Sequence, residues 1–414
     1  MDIVNYEHVP IKRIGKVITG KTPATSHEEY YGGQYMFISP VELHGGYRVT
    51  KSEKTITEKG LESIKTNSIE GISILVGCIG WDMGNVAMCF EKCATNQQIN
   101  AITQIDAKYN PYYIYYWLCG KKKYLFSIAS VTRTPILSKS TFEEIVIPLP
   151  IKKNQDKIAN ILLKIDQKIT LNKQINDNLQ QQAILLYDYW FTQFDFPDAN
   201  GKPYYSSGNK MTWNNQLKKN IPLSWKVKPL KAICEICLGG TPSTTVSKYW
   251  NGSISWLNSG EIAQFPVVSS EKKITQLGLE NSPTKLMSKN TTVISITGNI
   301  RASILALDAC ANQSVVGILE NEIFKSPFIY QNMLRLLKHY TSISTGNCQK
   351  HISKGAIEES LVCIPDNIVL KQYYSLSEPI YKQMHEIALE NQHLTELRDW
   401  LLPMLMNGQV TIKD

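Results

Sequence analysis

Two stretches of the chain carry the same residue pattern in the same order, so the fold adopted by the first half must also suit the second. Thr19-Gly20-Lys21-Thr22-Pro23 lines up with Leu238-Gly239-Gly240-Thr241-Pro242, and Tyr30-Tyr31-Gly32-Gly33 with Tyr249-Trp250-Asn251-Gly252. Phe37 then pairs with Trp256, Glu42 with Glu261, Ile56-Thr57 with Ile274-Thr275, and Gly60-Leu61-Glu62 with Gly278-Leu279-Glu280. Asn96-Gln97 matches Asn312-Gln313, Ser138-Lys139 matches Ser353-Lys354, and Pro150 matches Pro365. Ordered matches of this kind are the mark of a tandem duplication.

Each copy opens with short β-branched runs bounded by Gly, Pro, Asn and Ser, which predict strands at Tyr35–Ser39, Ile72–Val76 and Val86–Phe90, and again at Ile254–Leu257, Thr292–Ile296 and Ile304–Leu307. An aromatic or leucine-rich stretch (Tyr112–Leu118; Phe328–Leu337) predicts a helix, and a last apolar run closes the unit. The expected fold class is α+β, with similar domains at 1–150 and 225–366.

A different grammar follows each copy. Ile158, Leu162, Ile165, Ile169, Leu179, Ala183, Leu186 and Trp190 recur at alternating spacings of four and three, with Asn172 and Asn176 in the two intervening seam places. Such a heptad stripe over roughly 35 residues predicts a helix about 50 Å long. Ile380, Met384, Ile387, Leu394, Leu401 and Leu405 repeat the stripe with Asn391 in the seam, while Arg398 interrupts it and Leu397 is the expected substitute. One apolar stripe cannot face water alone. The segments 151–194 and 367–406 are therefore expected to pack on each other as an antiparallel, coiled-coil-like pair in a pseudo-twofold molecule, the seam asparagines setting register. Between helix and second copy, 195–224 is rich in Pro, Gly, Asn and Ser and reads as an exposed linker; 407–414 is a tail.

Bulk properties exclude several classes. The 414 residues, 43% apolar and 19% charged, suit a globular protein with two cores, and the formal charge of +8 is compatible with a polyanionic partner. No apolar run reaches the about 18 residues of a membrane span. The first residues lack the pattern of a secretion signal, and nine cysteines without disulfide-like spacing fit reduced thiols, so a cytoplasmic location without membrane contact is expected.

Tempting motifs fail on context. Gly15 to Thr22 satisfies the P-loop formula, but no helix pattern follows Pro23, and the second copy replaces Gly15 by Cys234 and Lys21 by Gly240. Asn110-Pro111-Tyr112-Tyr113 resembles a base-holding Asn-Pro-Pro-Tyr loop without its second proline, and a turn opening a helix is the simpler reading. Cys234-x-x-Cys237 and Cys89-x3-Cys93 lie in different copies without duplicates, so no metal and no bound cofactor is expected. No constellation looks like a catalytic site.

Two diverged copies on a helical ruler suit DNA, whose grooves present equivalent faces a helical turn apart. The Gly-x-Thr-Pro turn, the Tyr-Tyr/Trp-x-Gly strand, the Asn-Gln pair, the closing Ile145-Val146-Ile147-Pro148-Leu149-Pro150 before a long helix, Ile221-Pro222 with Trp225, and the tail from Leu394 to Pro403 together resemble the specificity subunit of type I restriction-modification systems. The resemblance spans essentially the whole chain. It implies two target-recognition domains that read an asymmetric bipartite site on double-stranded DNA, with the long helices as spacer and docking surface for two methyltransferase subunits. It further implies two translocase-nuclease subunits, and S-adenosylmethionine, ATP and magnesium held by partners rather than by this non-catalytic chain. A helical scaffold without base readout is the alternative.

Base readers should be polar side chains on loops, with Arg, Asn and Gln best suited to bidentate contact with guanine or adenine edges. The candidates are Ser39, His44, Arg48, Trp81, Asn85, Arg133 and Lys139 in the first copy, and Asn258, Arg301, Asn347, Gln349, Lys350 and Lys354 in the second. Lys121-Lys122-Lys123 is a candidate phosphate contact. Thr22, Thr241 and the two Asn-Gln pairs are shared by both copies, which points to building the fold rather than choosing bases.

Overall fold

The computed structural model describes residues 6–131, 133–345, 351–410 and 412. The chain divides into two units, Met1–Leu171 with His393–Asp414, and Asn172–Gln392, so each unit includes part of both long helices.

In the first unit a four-stranded antiparallel sheet runs in the order Lys16–Thr19, Ile99–Thr103, Ser73–Gly77, Val86–Cys89. Ser73–Gly77 is apolar throughout because both of its faces are covered. Ile74 and Val76 pack toward helix Pro111–Cys119, whereas Leu75 joins Ile38, Leu43 and Ala101 beneath a second sheet. That second sheet, Lys54–Ile56, Tyr31–Ile38, Cys93–Thr95, Ser68–Ile69, contains one parallel pair, Tyr31–Ile38 with Cys93–Thr95. Glu7–Pro10 pairs with Val146–Leu149 and ties the start of the copy to its end.

The second unit repeats this plan. Its first sheet is Ile236–Leu238, Val315–Ile318, Thr292–Ser295, Ala302–Ile304, antiparallel at every step. Its second sheet sets Trp250–Leu257 between Lys272–Ile274 and a parallel neighbour, Ala309–Ala311. Lys226–Pro229 pairs with Leu361–Ile364 as the closing clasp. Even the register break is repeated, between Tyr31 and Tyr35 in one copy and Trp250 and Ile254 in the other. The halves share one fold.

Three details differ from the sequence expectation. The strand expected at Ile304–Leu307 lies at Ala302–Ile304, because Leu305 turns to bond Thr291 instead. The helix of the second copy extends over Ser326–Ile343, while Gly120 divides its counterpart into Pro111–Cys119 and Lys122–Ser127. Most of all, 195–224 is not a loose linker. Phe196 is buried and stacks on Tyr204 and Trp225 at 4.7 and 5.0 Å between ring centroids, and Met211–Asn214 forms a hairpin with Lys219–Pro222. A few aromatic anchors outweigh a polar composition, since each buries a large apolar area.

Helices Lys152–Tyr187 and Asn367–Met406 run antiparallel within each unit. In the first unit Leu162 and Leu405 share the core, and Arg398 enters the seam where its Nη1 meets Asp166 Oδ1 at 2.9 Å. Leu397, the expected substitute, points outward and is exposed. In the second unit Leu179 and Ala183 pack with Tyr381 and Met384, and Asn172 donates to Asn391 Oδ1 at 3.0 Å and to Glu390 Oε2 at 2.7 Å. Asn176 donates to the Met384 carbonyl at 3.4 Å.

His385 is buried on the same helix, its Nε2 without a hydrogen-bond partner. Burial, with a smaller contribution from Lys289, pulls the imidazole down to about 4 from its ordinary 6.5. The unfolded chain takes up this proton near 6.5 and the folded chain only near 4, so the stabilisation is complete above 6.5 and is lost as the pH falls toward 4. The stability of the native chain relative to His385→Phe should therefore fall by up to about 3 kcal/mol as the pH drops across that window. Urea unfolding measured at several pH values checks this, and a pH-independent difference would contradict it.

Candidate nucleic-acid interface

The motifs shared by both copies meet each other. Thr22 Oγ1 donates to Gln97 Oε1 at 2.8 Å, and Thr241 Oγ1 donates to Gln313 Oε1 at 2.5 Å. Gly20 and Gly239 lie so close to the Asn96 and Asn312 carbonyls that a Cβ would come within 2.1 and 2.2 Å of them. The Gly-x-Thr-Pro turn and the Asn-Gln turn thus form one clamp, built twice. The P-loop reading falls here: after Lys21 comes only a short 3-10 turn, Glu28–Tyr30, and Thr22 is committed to Gln97. Asn110 likewise caps helix Pro111–Cys119, its Oδ1 accepting from the Tyr112 and Tyr113 amides at 2.9 and 3.1 Å.

Several candidates have structural work of their own. Ser39 N–H and Oγ both donate to Glu42 Oε2, at 2.8 and 2.7 Å; the Asn258 backbone N–H donates to Glu261 Oε2 at 2.7 Å, and its side-chain Oδ1 accepts from the Gly260 amide at 2.7 Å. These are equivalent turns, each also gathering a distant amide, from Glu53 or from Glu271. Lys139 and Lys354 open equivalent short helices and pair one turn on with Glu143 and Glu358, at 3.6 and 2.9 Å. Arg48 lies 4.4 Å over the Phe90 ring and pairs with Glu91. Lys121 sits 5.3 Å over the Trp117 ring.

The remaining described candidates of the first copy gather around one loop, 78–85, between strands Ser73–Gly77 and Val86–Cys89. Asp82, which sequence reasoning missed, is its hub: it meets Lys122 Nζ at 2.6 Å, His44 Nε2 at 3.0 Å and Asn85 Nδ2 at 3.1 Å. Lys122 also donates to Asn85 Oδ1 at 2.8 Å. The Lys122 ammonium bonded to it holds the Asp82 carboxyl below its ordinary range. Lys122 and His44 lie some 40 residues from Asp82 in sequence, so no local pattern could have revealed them. Trp81 projects from the same loop, 71% exposed. The hairpin Ser130–Val131/Pro135–Ile136, whose turn carries exposed Arg133, is stapled to the loop by Gly80 N–H to Pro135 O at 3.0 Å and Leu137 N–H to Cys78 O at 2.8 Å.

The second copy repeats the staple with other side chains. Its loop, 296–301, ends at exposed Arg301, and Ile352 N–H donates to the Ile296 carbonyl at 3.0 Å. Thr345 pairs with His351, and the candidates Asn347, Gln349 and Lys350 lie between them, outside the described residues. Each copy therefore presents a loop and a downstream segment joined at one edge of the first sheet, shared in backbone plan and different in side chains.

The family model for the type I restriction modification DNA specificity domain matches residues 3–181 and 222–373. The chain is 27% identical over 416 residues to the type I restriction enzyme MjaIX specificity subunit of Methanocaldococcus jannaschii, covering 98% of this chain and 93% of that protein. It is 24% identical to the MjaVIII specificity subunit of the same organism, covering 99% and 94%. Among solved structures, the type I restriction-modification S subunit from M. genitalium superposes with a TM-score of 0.60 at 16% identity, covering 98% of this chain and 97% of that one, and so shares the fold.

Proposed function

Because the chain belongs to the type I restriction-modification DNA specificity family, and is the DNA specificity subunit of such a system, we propose that its two copies read two different half-sites of one asymmetric, bipartite sequence. The observation that carries this reading is the pair of stapled loops: one backbone plan, with Trp81, Asp82 and Asn85 on one copy and Asn299, Ile300 and Arg301 on the other. Arginine suits bidentate contact with guanine and an aromatic ring suits apolar contact with bases, so equal positions are equipped for unequal sequences. Basic side chains such as Lys123 and Arg133, on the elements beside the first loop, suit the phosphate backbone.

In this proposal the chain is non-catalytic and cytoplasmic. It directs two methyltransferase subunits, which methylate adenine with S-adenosylmethionine, and two translocase-nuclease subunits, which use ATP and magnesium. The hydrogen-bonded Asn172–Asn391 pair fixes the register of the helix pair on which those partners dock, because a shifted register would leave its amides unpaired.

Exchange of residues 1–150 for the corresponding domain of a relative is the test. Single-molecule sequencing of methylated adenines in cells should then show one half of the modified site changed and the other half kept. Change in both halves, or in neither, would refute modular reading.

A further inference from the structure

We infer that Trp81 makes the apolar base contact by which the first copy recognises its half-site in double-stranded DNA, an inference that rests on the DNA-reading function proposed above. Three observations converge on this residue.

The first is the cost of leaving it exposed. An indole is among the largest apolar groups a protein can bury, yet Trp81 is 71% exposed, with Phe126 as a partial backing at 6.1 Å between centroids. Exposed Tyr124 and Ile136 sit on the elements beside it.

The second is that the loop is held stiffly, anchored in the core by buried Cys78 and Met83. Gly80, at a φ of +104°, donates to Pro135 O, and Gly84 donates to Gly77 O at 2.7 Å. Lys122, His44 and Asn85 converge on Asp82, next to the ring. A side chain presented by so constrained a loop loses little freedom on binding.

The third is what the neighbours leave available. Asn85 has its amide nitrogen on Asp82 and its oxygen on Lys122, so the polar group best suited to read a base here is already engaged. The acid at the tip, Asp82, is paired with Lys122, and Lys123 on the adjoining helix and Arg133 on the stapled hairpin add positive charge, which favours a polyanion over a basic or neutral surface. Among the side chains of the loop itself, what remains to touch bases is the indole. In the second copy the equivalent loop, with Gly298 at a φ of +75° in the place of Gly80, offers Asn299 and Arg301 instead.

The test uses the full chain and fluorescence anisotropy on four duplexes: the sequence modified in the host, the same with either half-site scrambled, and one scrambled throughout. Trp81→Ala should weaken binding to the intact site by roughly ten- to one-hundredfold, the range that losing the contact to one base pair of a duplex site costs. Trp81→Phe should keep most of the affinity. Because no phosphate contact is lost, the dependence of affinity on salt should be unchanged. The penalty should vanish when one particular half-site is scrambled and persist when the other is. Thermal melting should not move, since the side chain is mostly in water. If the native chain prefers its site and Trp81→Ala prefers it equally, or if the penalty survives scrambling of either half, this inference is overturned while the DNA-reading function stands. If the native chain shows no preference among the four duplexes, both fall together.

Discussion

Arg398→Met is expected to destabilise the unit that contains it by about 3–5 kcal/mol, the usual result of removing one partner from a buried ion pair. The Asp166 side chain is only 5% exposed and takes hydrogen bonds from Arg398 Nη1 at 2.9 Å and from Tyr116 Oη at 2.7 Å. Without the guanidinium a carboxylate stays in the core with a single phenol to satisfy it. Burial, and the nearby Asp166 charge, push the Tyr116 hydroxyl far above its ordinary range, so it remains a proton donor and cannot replace the lost cation. Asp166→Leu combined with Arg398→Met removes both charges and should recover most of the loss. Amide hydrogen exchange of residues 393–406 in the full chain measures both effects. A cost for Arg398→Met below about 1 kcal/mol, typical of exposed pairs, would show that the bridge contributes as a surface bridge does.

The second large effect is expected at the duplicated clamp. Alanine at Gly20 would place its Cβ 2.1 Å from the Asn96 carbonyl oxygen and 2.4 Å from that of Thr95. Alanine at Gly239 would meet the Asn312 and Ala311 carbonyl oxygens at 2.2 and 2.5 Å. Both obstacles are backbone, so neither can swing aside, and overpacking of this kind costs about 1–3 kcal/mol or more. Each substitution should lower the melting temperature and expose its own clamp, seen as faster exchange of the Asn96 or Asn312 amide. Gly32 is the control: its φ is +77° but a Cβ there meets nothing within 4 Å, so Gly32→Ala should carry only the smaller backbone penalty. Equal effects at Gly20 and Gly32 would show that crowding is not what keeps glycine in the clamp.

The fold was legible in the sequence to the extent that it is periodic or repeated. Strand Ser73–Gly77 announces itself because both faces are buried, and the long helices because one stripe must be. The packed segment around Phe196 was not legible, since its polar composition says loop and only the partner rings of Tyr204 and Trp225 say otherwise. In the local sequence Arg398 stands as a break in the apolar seam. It becomes a seam residue once Asp166 stands opposite, and nothing in the local sequence joins residues so far apart.

The candidate site divides in the same way. The sequence alone determined that there are two copies and that Gly20 with Thr22 and Asn96 with Gln97 belong to the shared framework. It could do so because duplicated positions record what the fold itself demands, whatever surface each copy presents. Only the tertiary structure decided which candidates are available: Ser39, Asn258, Lys139, Lys354 and Arg48 are drawn into local hydrogen bonds, ion pairs and ring contacts, whereas Trp81 stands clear on a stapled loop. The reason is physical. A side chain's freedom to meet a ligand depends on which groups from distant segments reach it first, and that is a property of three-dimensional packing.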